Sequence, residues 1–203
     1  TLVSAFARSS NTAALRLAQR VGLEAVVQKA RDLGITSPLD PVPGLALGQS
    51  EVTLLELTAA YAAIANGGSW QPPTTIRQVV DGETCRGEEP DRCRQQAAEG
   101  GRGGSAGPGP GRRAVSEQTA RRMQELLRAV VRSGTGTAAS LGGQEGGKTG
   151  TTNANRDLLF VGYEPRREWV IGIWLGNDDN QPTNGSSALA AGLWGEIARL
   201  PGS

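Results

Sequence analysis

Histidine is absent from this chain of 203 residues. A Ser-His-Asp triad therefore cannot be assembled from it. Zinc sites of the usual Cys/His kind are equally implausible, because only two cysteines are present to supply ligands. If a serine of this protein reacts covalently, its proton must move through a lysine or a carboxylate. No metal or other cofactor is expected.

Lysine is almost absent as well. Only Lys29 and Lys148 are lysines among 21 basic residues, and the others are arginines. A lysine can lose its proton when its pKa is lowered, whereas an arginine in a protein stays charged. The net charge of +1 gives no electrostatic basis for binding nucleic acid or an anionic membrane. No apolar run approaches the roughly 20 residues that a membrane-spanning helix needs.

The two cysteines, Cys85 and Cys93, lie in a segment of unusual composition. Residues 81–113 are first polar and charged and then rich in glycine and proline. This composition predicts a flexible surface insertion, with a partner-docking loop as the alternative. The cysteines suit either a disulfide-closed loop in an oxidising compartment or two free thiols, because the sequence does not determine their Cα separation.

Outside this insertion, the periodicity of apolar residues predicts an α+β domain rather than a doubly wound sheet. The predicted helices cover residues 1–8, 11–21, 23–33, 53–64, 116–130 and 187–198, and the predicted strands cover 74–80, 147–152, 158–163 and 169–176. Thr53 and Glu56 have the spacing of a capping box at a helix start. Prolines at 38, 41 and 43 predict an extended connection. The short turn between the last two strands favours an antiparallel hairpin.

The stretch Gly142–Thr149 fits two motifs with different chemistry. It matches the phosphate-binding loop pattern G-x-x-x-x-G-K-[ST], and Lys148-Thr149-Gly150 is the K-T-G triplet of penicillin-binding enzymes. A phosphate loop needs a buried strand before it and a helix after it, and neither pattern is present here. A K-T-G triplet needs a strand edge that pairs with an extended peptide. Gly146 and Gly147 are expected to keep that edge open.

A second triplet lies near the start of the chain, in a break between two predicted helices. Ser9-Ser10-Asn11 reads S-x-N, and serine and asparagine are also common residues at helix N-termini. A helix cap and a catalytic triplet are both compatible with this position.

Taken together, S-x-N followed by K-T-G resembles the transpeptidase domain of penicillin-binding proteins. The resemblance extends to SSNTAALRLAQRVG, LALGQSEVTLLELTAAYAAIANGG, GKTGTTNANRDLLFVGY and WLGNDDN, which look like the class A, bifunctional members. It covers nearly the whole chain except residues 81–113, and it implies the penicillin-binding or serine β-lactamase-like fold, incomplete at its N-terminus. Such enzymes cross-link peptidoglycan stem peptides that end in D-Ala-D-Ala, and β-lactams imitate the first step.

The resemblance assigns catalytic roles to three residues. It implies that Ser9 relays a proton toward the leaving amine with Lys148 beside it. It also implies that Asn11 forms a hydrogen bond with an amide of the substrate. A lysine buried among such groups can have a lowered pKa and take part in proton transfer.

The resemblance further implies that residues 149–152 bind substrate. Lys148 and the hydroxyls of Thr149 and Thr151 would hold the terminal carboxylate, which a fixed cation and hydroxyl donors suit. The N–H of Thr151 would form half of an oxyanion hole. Gly150 and Thr152 complete the expected binding segment.

One part of the family pattern is missing. The nucleophilic serine belongs to an S-x-x-K motif, and this sequence contains none. The nucleophile, a glycosyltransferase domain and a membrane anchor are therefore expected upstream of Thr1, with the protein acting on the outer side of the cell membrane. The chain alone is expected to be inactive and only marginally stable. Its expected partners are stem peptides and β-lactams, and a non-catalytic peptide-binding module of the same fold is the alternative.

Overall fold

The computed structural model describes residues 1–74 and 111–200. The helices are α1 (Leu2–Ala7), α2 (Asn11–Val21), α3 (Leu23–Asp32), α4 (Leu54–Ala65), α5 (Glu117–Ser133) and α6 (Ser187–Arg199). The strands are β1 (Ser69–Trp70), β2 (Arg112–Arg113), β3 (Gly146–Thr151), β4 (Asp157–Glu164) and β5 (Trp169–Gly176). Thr1–Trp70 and the residues from Arg112 onward form one compact unit. Helices combined with an antiparallel sheet confirm the α+β prediction.

Side-chain caps explain where the main helices begin. At α4 the predicted capping box is present, since Glu56 N donates to Thr53 Oγ1 at 3.1 Å and Thr53 N donates to the Glu56 carboxylate at 3.1 Å. The same carboxylate accepts the backbone N–H groups of Thr36 and Ser37 at 2.7 and 2.9 Å. Glu56 therefore fixes both the start of α4 and the loop that follows α3.

Strands β3, β4 and β5 form one antiparallel sheet in that order. Lys148 of β3 lies opposite Val161 of β4, and Val161 lies opposite Gly172 of β5. Among the described residues β3 pairs only with β4, so its other edge is unpaired within this part of the chain. This leaves the K-T-G triplet on an edge strand, as a peptide-pairing site requires.

The core is built on both faces of this sheet. On one face Phe160 meets Trp194 of α6 edge-on, with 5.5 Å between ring centroids, and both side chains are fully buried. On the other face Tyr163 packs with Ile64 of α4 and Leu127 of α5. The sheet is thereby held between α6 and the pair α4 and α5, which makes β3 a rigid support.

Three local predictions differ from the structure or lie outside it. Residues Pro43–Leu47 form a 3-10 turn instead of extended chain, because proline is also well suited to the first position of a helical turn. The predicted strand 74–80 lies, apart from Thr74, outside the described residues. So do Cys85, Cys93 and residues 81–110 of the predicted insertion. Its last two residues, Arg112 and Arg113, pair with β1.

Candidate active site

Ser9 lies at a tight reversal of the chain between α1 and α2. Its φ is 53°, a left-handed conformation that is uncommon for serine, and its N–H donates to Phe6 O at 3.0 Å. The neighbouring Ser10 is the cap of α2, with Oγ accepting from Ala13 N at 3.4 Å. The cap and the candidate catalytic position are therefore two different serines, and the Ser9 side chain remains available for other contacts.

Lys148 brings the two triplets together. Its Nζ donates to Ser9 Oγ at 2.7 Å, across 139 residues of sequence, and to Thr149 O at 2.9 Å. The S-x-N reversal thus lies directly beside the edge strand that carries K-T-G. A half-buried ammonium group in contact with an exposed hydroxyl is an arrangement that can pass a proton to a bound molecule.

Burial lowers the pKa of Lys148 from 10.5 to about 8. The cause is the removal of the ammonium group from water, which disfavours the charged form. Among the described residues its acceptors are a hydroxyl and a carbonyl oxygen, not a carboxylate. Lys29, in contrast, forms a surface ion pair with Asp32 at 2.6 Å. The two lysines of this chain therefore have opposite surroundings, and only Lys148 is suited to proton transfer near neutral pH.

Thr149 is buried under the edge of the sheet. Its Oγ1 lies 2.6 Å from Oγ1 of Thr135, in the turn after α5. Its exposed fraction is only 8%. The hydroxyl of Thr149 is therefore held in place by a second hydroxyl before any substrate binds.

The remaining substrate-binding candidates occupy the end of β3 and the turn after it. Gly150 is half-buried within β3, and Thr151 is the exposed last residue of the strand. Thr152 is engaged differently, because its Oγ1 donates to the Asp157 carboxylate at 2.8 Å and accepts from Asp157 N at 2.8 Å. The indole N–H of Trp174 donates to the same carboxylate at 2.9 Å. The side chain of Thr152 thus closes the hairpin turn.

Asn11 is the first residue of α2 and is exposed. Its side chain forms no hydrogen bond with any residue in 1–74 or 111–200. Asn11 lies two residues after Ser9 in the chain. Its side chain can form a hydrogen bond with an external amide. The structure therefore gives Asn11 an exposed side chain, and its role in binding an amide of the substrate stays a prediction.

The glycines before Lys148 have an internal function that differs from the expected one. A Cβ on Gly147 would lie 2.4 Å from the Phe160 ring, and one on Gly146 would lie 2.7 Å from the hydroxyl of Tyr163. Both positions therefore need glycine so that β3 can pack against β4. The structure therefore explains these two glycines by packing within the sheet, not by access for a peptide.

The geometry of the loop before β3 argues against phosphate binding. Lys148 lies inside strand β3, and only a short 3-10 turn, Asn153–Asn155, separates this strand from β4. No α-helix begins at the Lys-Thr pair. The N–H groups of Leu141 and Gly143 donate to the buried Glu145 carboxylate at 2.8 and 2.9 Å. Amides that would cradle a phosphate are thus already bound to an internal anion. The phosphate-loop interpretation of Gly142–Thr149 is therefore not supported.

Comparison with known proteins identifies the family. A family model described as the penicillin binding protein transpeptidase domain matches residues 1–198. The chain belongs to the penicillin-binding protein transpeptidase family. Penicillin-binding protein 1A of Aquifex aeolicus is 38% identical over 181 residues, which are 88% of this chain and 22% of that protein. The chain spans about a fifth to a quarter of the length of the curated relatives it matches.

Solved structures show the same fold. The D,D-transpeptidase domain of a peptidoglycan glycosyltransferase from Eggerthella lenta is 28% identical, with a TM-score of 0.66 over 98% of this chain and 53% of that one. Penicillin-binding protein A of Mycobacterium tuberculosis, solved as an imipenem acyl-enzyme complex, is 24% identical, with a TM-score of 0.67 over 98% of this chain and 47% of that one. The resemblance to class A penicillin-binding proteins and the predicted transpeptidase fold are confirmed.

In this chain, two residues that contact the site lie outside both triplets. Asp157 is the first residue of β4, and Thr135 lies in the turn after α5. The partners of Asp157 are Thr152 and Trp174, and the partner of the Thr135 hydroxyl is Thr149. For Thr135 a signal does exist, since Gly134 and Gly136 flank it and paired glycines often mark a close approach of the backbone. For Asp157 we find no comparable signal.

Proposed function

We propose that this chain forms one wall of the active site of a peptidoglycan D,D-transpeptidase. The enzyme would cross-link stem peptides ending in D-Ala-D-Ala through an acyl-serine intermediate. The hydrogen bond of 2.7 Å from Lys148 Nζ to Ser9 Oγ carries the proposal, because it unites S-x-N with K-T-G. The family to which the chain belongs supports the reaction type.

In the first step a nucleophilic serine attacks the carbonyl carbon between the two D-alanines. A C–O bond forms, the hydroxyl proton of this serine passes to the lysine of its own S-x-x-K motif, the peptide C–N bond breaks, and the terminal D-alanine leaves as an amine. Its nitrogen requires a proton, which Ser9 Oγ–H supplies and the Lys148 ammonium replaces. Lys148 is suited to this donation because its pKa is lowered to about 8.

In the second step the amine of another stem peptide attacks the serine ester. A new amide C–N bond forms, the C–O bond breaks, and the serine oxygen leaves and takes back its proton from the lysine of the S-x-x-K motif. The proton released by the attacking nitrogen returns through Ser9 to Lys148. The same pair therefore acts as an acid in acylation and as a base in transfer.

The terminal carboxylate of the stem peptide would lie against the end of β3. The Lys148 ammonium and the hydroxyls of Thr149 and Thr151 are the donors, since a carboxylate binds best to charged and fixed hydrogen-bond donors. The N–H of Thr151 would stabilise the developing oxyanion. A β-lactam, which carries a carboxylate next to a strained amide, would bind in the same way and acylate the serine.

The nucleophile is not in these 203 residues, since no S-x-x-K occurs in them. We propose that a preceding segment of the same protein supplies the serine and its lysine, together with a glycosyltransferase domain and an anchor on the outer side of the cell membrane. Within the described residues, no helix has the length and apolar character needed to cross a bilayer.

The proposal is tested by labelling the natural full-length protein with a fluorescent penicillin. We expect the Ser9→Ala variant to acylate at least about 100-fold more slowly, because it loses the proton donor. Ser10→Ala is the matched control: it removes the cap of α2, which lowers stability by about 1 kcal/mol, and leaves the Ser9–Lys148 contact in place.

Two outcomes would contradict the proposal. A stable acyl-enzyme band formed by residues 1–203 alone, on a denaturing gel, would show that the nucleophile lies within the chain. A folded full-length protein that is not labelled at all would instead indicate the alternative, a non-catalytic peptide-binding module.

A further inference from the structure

The turn Gly134–Gly136 connects the two halves of the site. It follows α5 and lies between the end of α1 and strand β3. Thr135 N donates to Ala7 O at 3.1 Å, two residues before Ser9, and Thr135 Oγ1 lies 2.6 Å from Thr149 Oγ1. One residue therefore contacts both the backbone that precedes S-x-N and the side chain at the centre of K-T-G.

The backbone of this turn permits very little displacement. A Cβ on Gly134 would lie 2.1 Å from Ala7 O, so a side chain at this position is excluded. The N–H groups of Gly134 and Gly136 both donate to Val130 O, at 3.0 and 3.1 Å. Thr135 is thus held by fixed neighbours on either side, which defines where its hydroxyl can point.

The hydroxyl groups of Thr135 and Thr149 lie 2.6 Å apart and form one hydrogen bond, so one of them donates and the other accepts. Each hydroxyl has a single proton to donate and two lone pairs to accept with. If Thr149 gave its proton to Thr135, none would remain for a substrate. If Thr135 gives its proton to Thr149, the Thr149 proton is free to point out of the edge of the sheet, and the chain of bonds strengthens it as a donor.

We infer that Thr135 is a positioning residue that donates its hydroxyl proton to Thr149 Oγ1 and thereby directs the Thr149 hydroxyl toward a carboxylate of the substrate. The inference rests on the proposed function and assigns a determinant of carboxylate recognition outside the S-x-N and K-T-G triplets. Thr135 acts through Thr149, while its backbone N–H keeps α1, and with it Ser9, against β3.

The test compares acylation of the natural full-length protein by benzylpenicillin and by its carboxylate methyl ester. Thr135→Val has a similar size, keeps the backbone N–H and replaces the hydroxyl with a methyl group, which cannot form the hydrogen bond to Thr149. We expect it to slow acylation by benzylpenicillin about tenfold, the effect of losing one hydrogen bond to a charged group. Acylation by the ester, which has no carboxylate to hold, should change less than about twofold.

Four further variants separate positioning from folding. Thr135→Ser should restore the preference for the carboxylate, because it restores the hydroxyl. Thr149→Val should lose that preference, and adding Thr135→Val to it should cause no further loss. Thr137→Val is the matched control, since it removes a hydroxyl from an exposed threonine two residues away. It should leave both rates and the melting temperature unchanged.

The outcomes distinguish this inference from the proposed function. Absence of any acylation in the unmodified, folded protein would overturn the proposed function and the inference with it. Normal acylation of the unmodified protein, combined with equal slowing of both substrates in Thr135→Val, would overturn the inference alone. So would a Thr135→Val variant that retains the full preference for the carboxylate.

Discussion

At the scale of single residues, this site depends on one lysine whose surroundings differ from those of an ordinary lysine. Lys148 is half-buried, donates to Ser9 and a backbone carbonyl, and has its pKa lowered to about 8. The K-T-G motif predicts which lysine belongs to the site, whereas the burial that lowers its pKa comes only from the fold. Ser9 divides differently. Its left-handed backbone closes the end of α1 locally, with Ser10 N donating to Ala5 O at 2.9 Å and Ser9 N to Phe6 O at 3.0 Å. Only its contact with Lys148 depends on the fold.

The pKa of Lys148 predicts a pH dependence of acylation. The second-order rate constant for benzylpenicillin should fall as the pH rises through about 8, because the ammonium that donates to Ser9 and holds the carboxylate becomes neutral. Lys148→Arg should be slower overall but should lack this decline, since arginine remains charged. The rate of acylation is measured by stopped flow from about pH 6 to about pH 10, a range that includes the lowered pKa of Lys148 and approaches the ordinary lysine value of about 10.4. An unchanged decline in Lys148→Arg would assign it to another group.

At the scale of elements, caps and glycines determine where helices and strands begin and how closely they approach. The capping box at α4 was predictable because its two residues are three apart in sequence. The contacts of Glu56 with Thr36 and Ser37 were not, because they join residues that only the fold brings together. Similarly, the sequence predicts that Gly147 keeps the strand edge open. The reason that the structure gives is the Phe160 ring on β4, which leaves no room for a side chain at this position.

The Glu56 network predicts a specific acid sensitivity. Hydrogen bonds from Ser37, Thr36 and Thr53 hold the pKa of Glu56 well below its ordinary value of 4.5. Between the two values the unfolded chain binds a proton that the folded chain does not, so stability falls as the pH falls below about 4.5. We expect Glu56→Gln to lower the melting temperature at pH 7 and to lose part of this acid sensitivity. Melting curves at several pH values test this.

A suitable control for Glu56 is Glu117, which is in the first turn of α5 and forms an exposed ion pair with Arg121. Exposed pairs contribute little to stability. Glu117→Gln should therefore leave the pH dependence close to that of the unmodified protein. Equal behaviour of the two variants would mean that Glu56 does not carry the effect.

At the scale of the whole molecule, the described unit has a packed sheet and also exposes large apolar side chains. Leu55 is 62% exposed, Leu2 56%, Val3 51% and Trp174 45%. Apolar surface of this kind on a folded unit is typical of faces that other segments cover. The proposed reaction needs a serine from an S-x-x-K motif, and a segment that carried it to β3 would be one way to cover such apolar surface.

The exposed apolar residues predict the behaviour of residues 1–203 when produced alone. We expect this chain to bind a hydrophobic fluorescent dye and to associate as its concentration rises. Leu55→Gln should reduce dye binding without lowering the melting temperature, because the side chain is already in water. Ile64→Ala, at a position only 8% exposed, should lower stability by about 2–5 kcal/mol. A monomeric chain without dye binding would contradict the prediction.

The sequence by itself determined the class of the fold, the positions of most helices and strands, and the residue types of both triplets. These properties depend on local patterns: apolar periodicity, caps three residues apart, and short motifs. Tertiary structure alone decided that Ser9 meets Lys148, how far the pKa of Lys148 falls, and that Thr135 lies against Thr149. Each of these depends on contacts between residues far apart in the chain, and such contacts exist only after the sheet has packed between its helices.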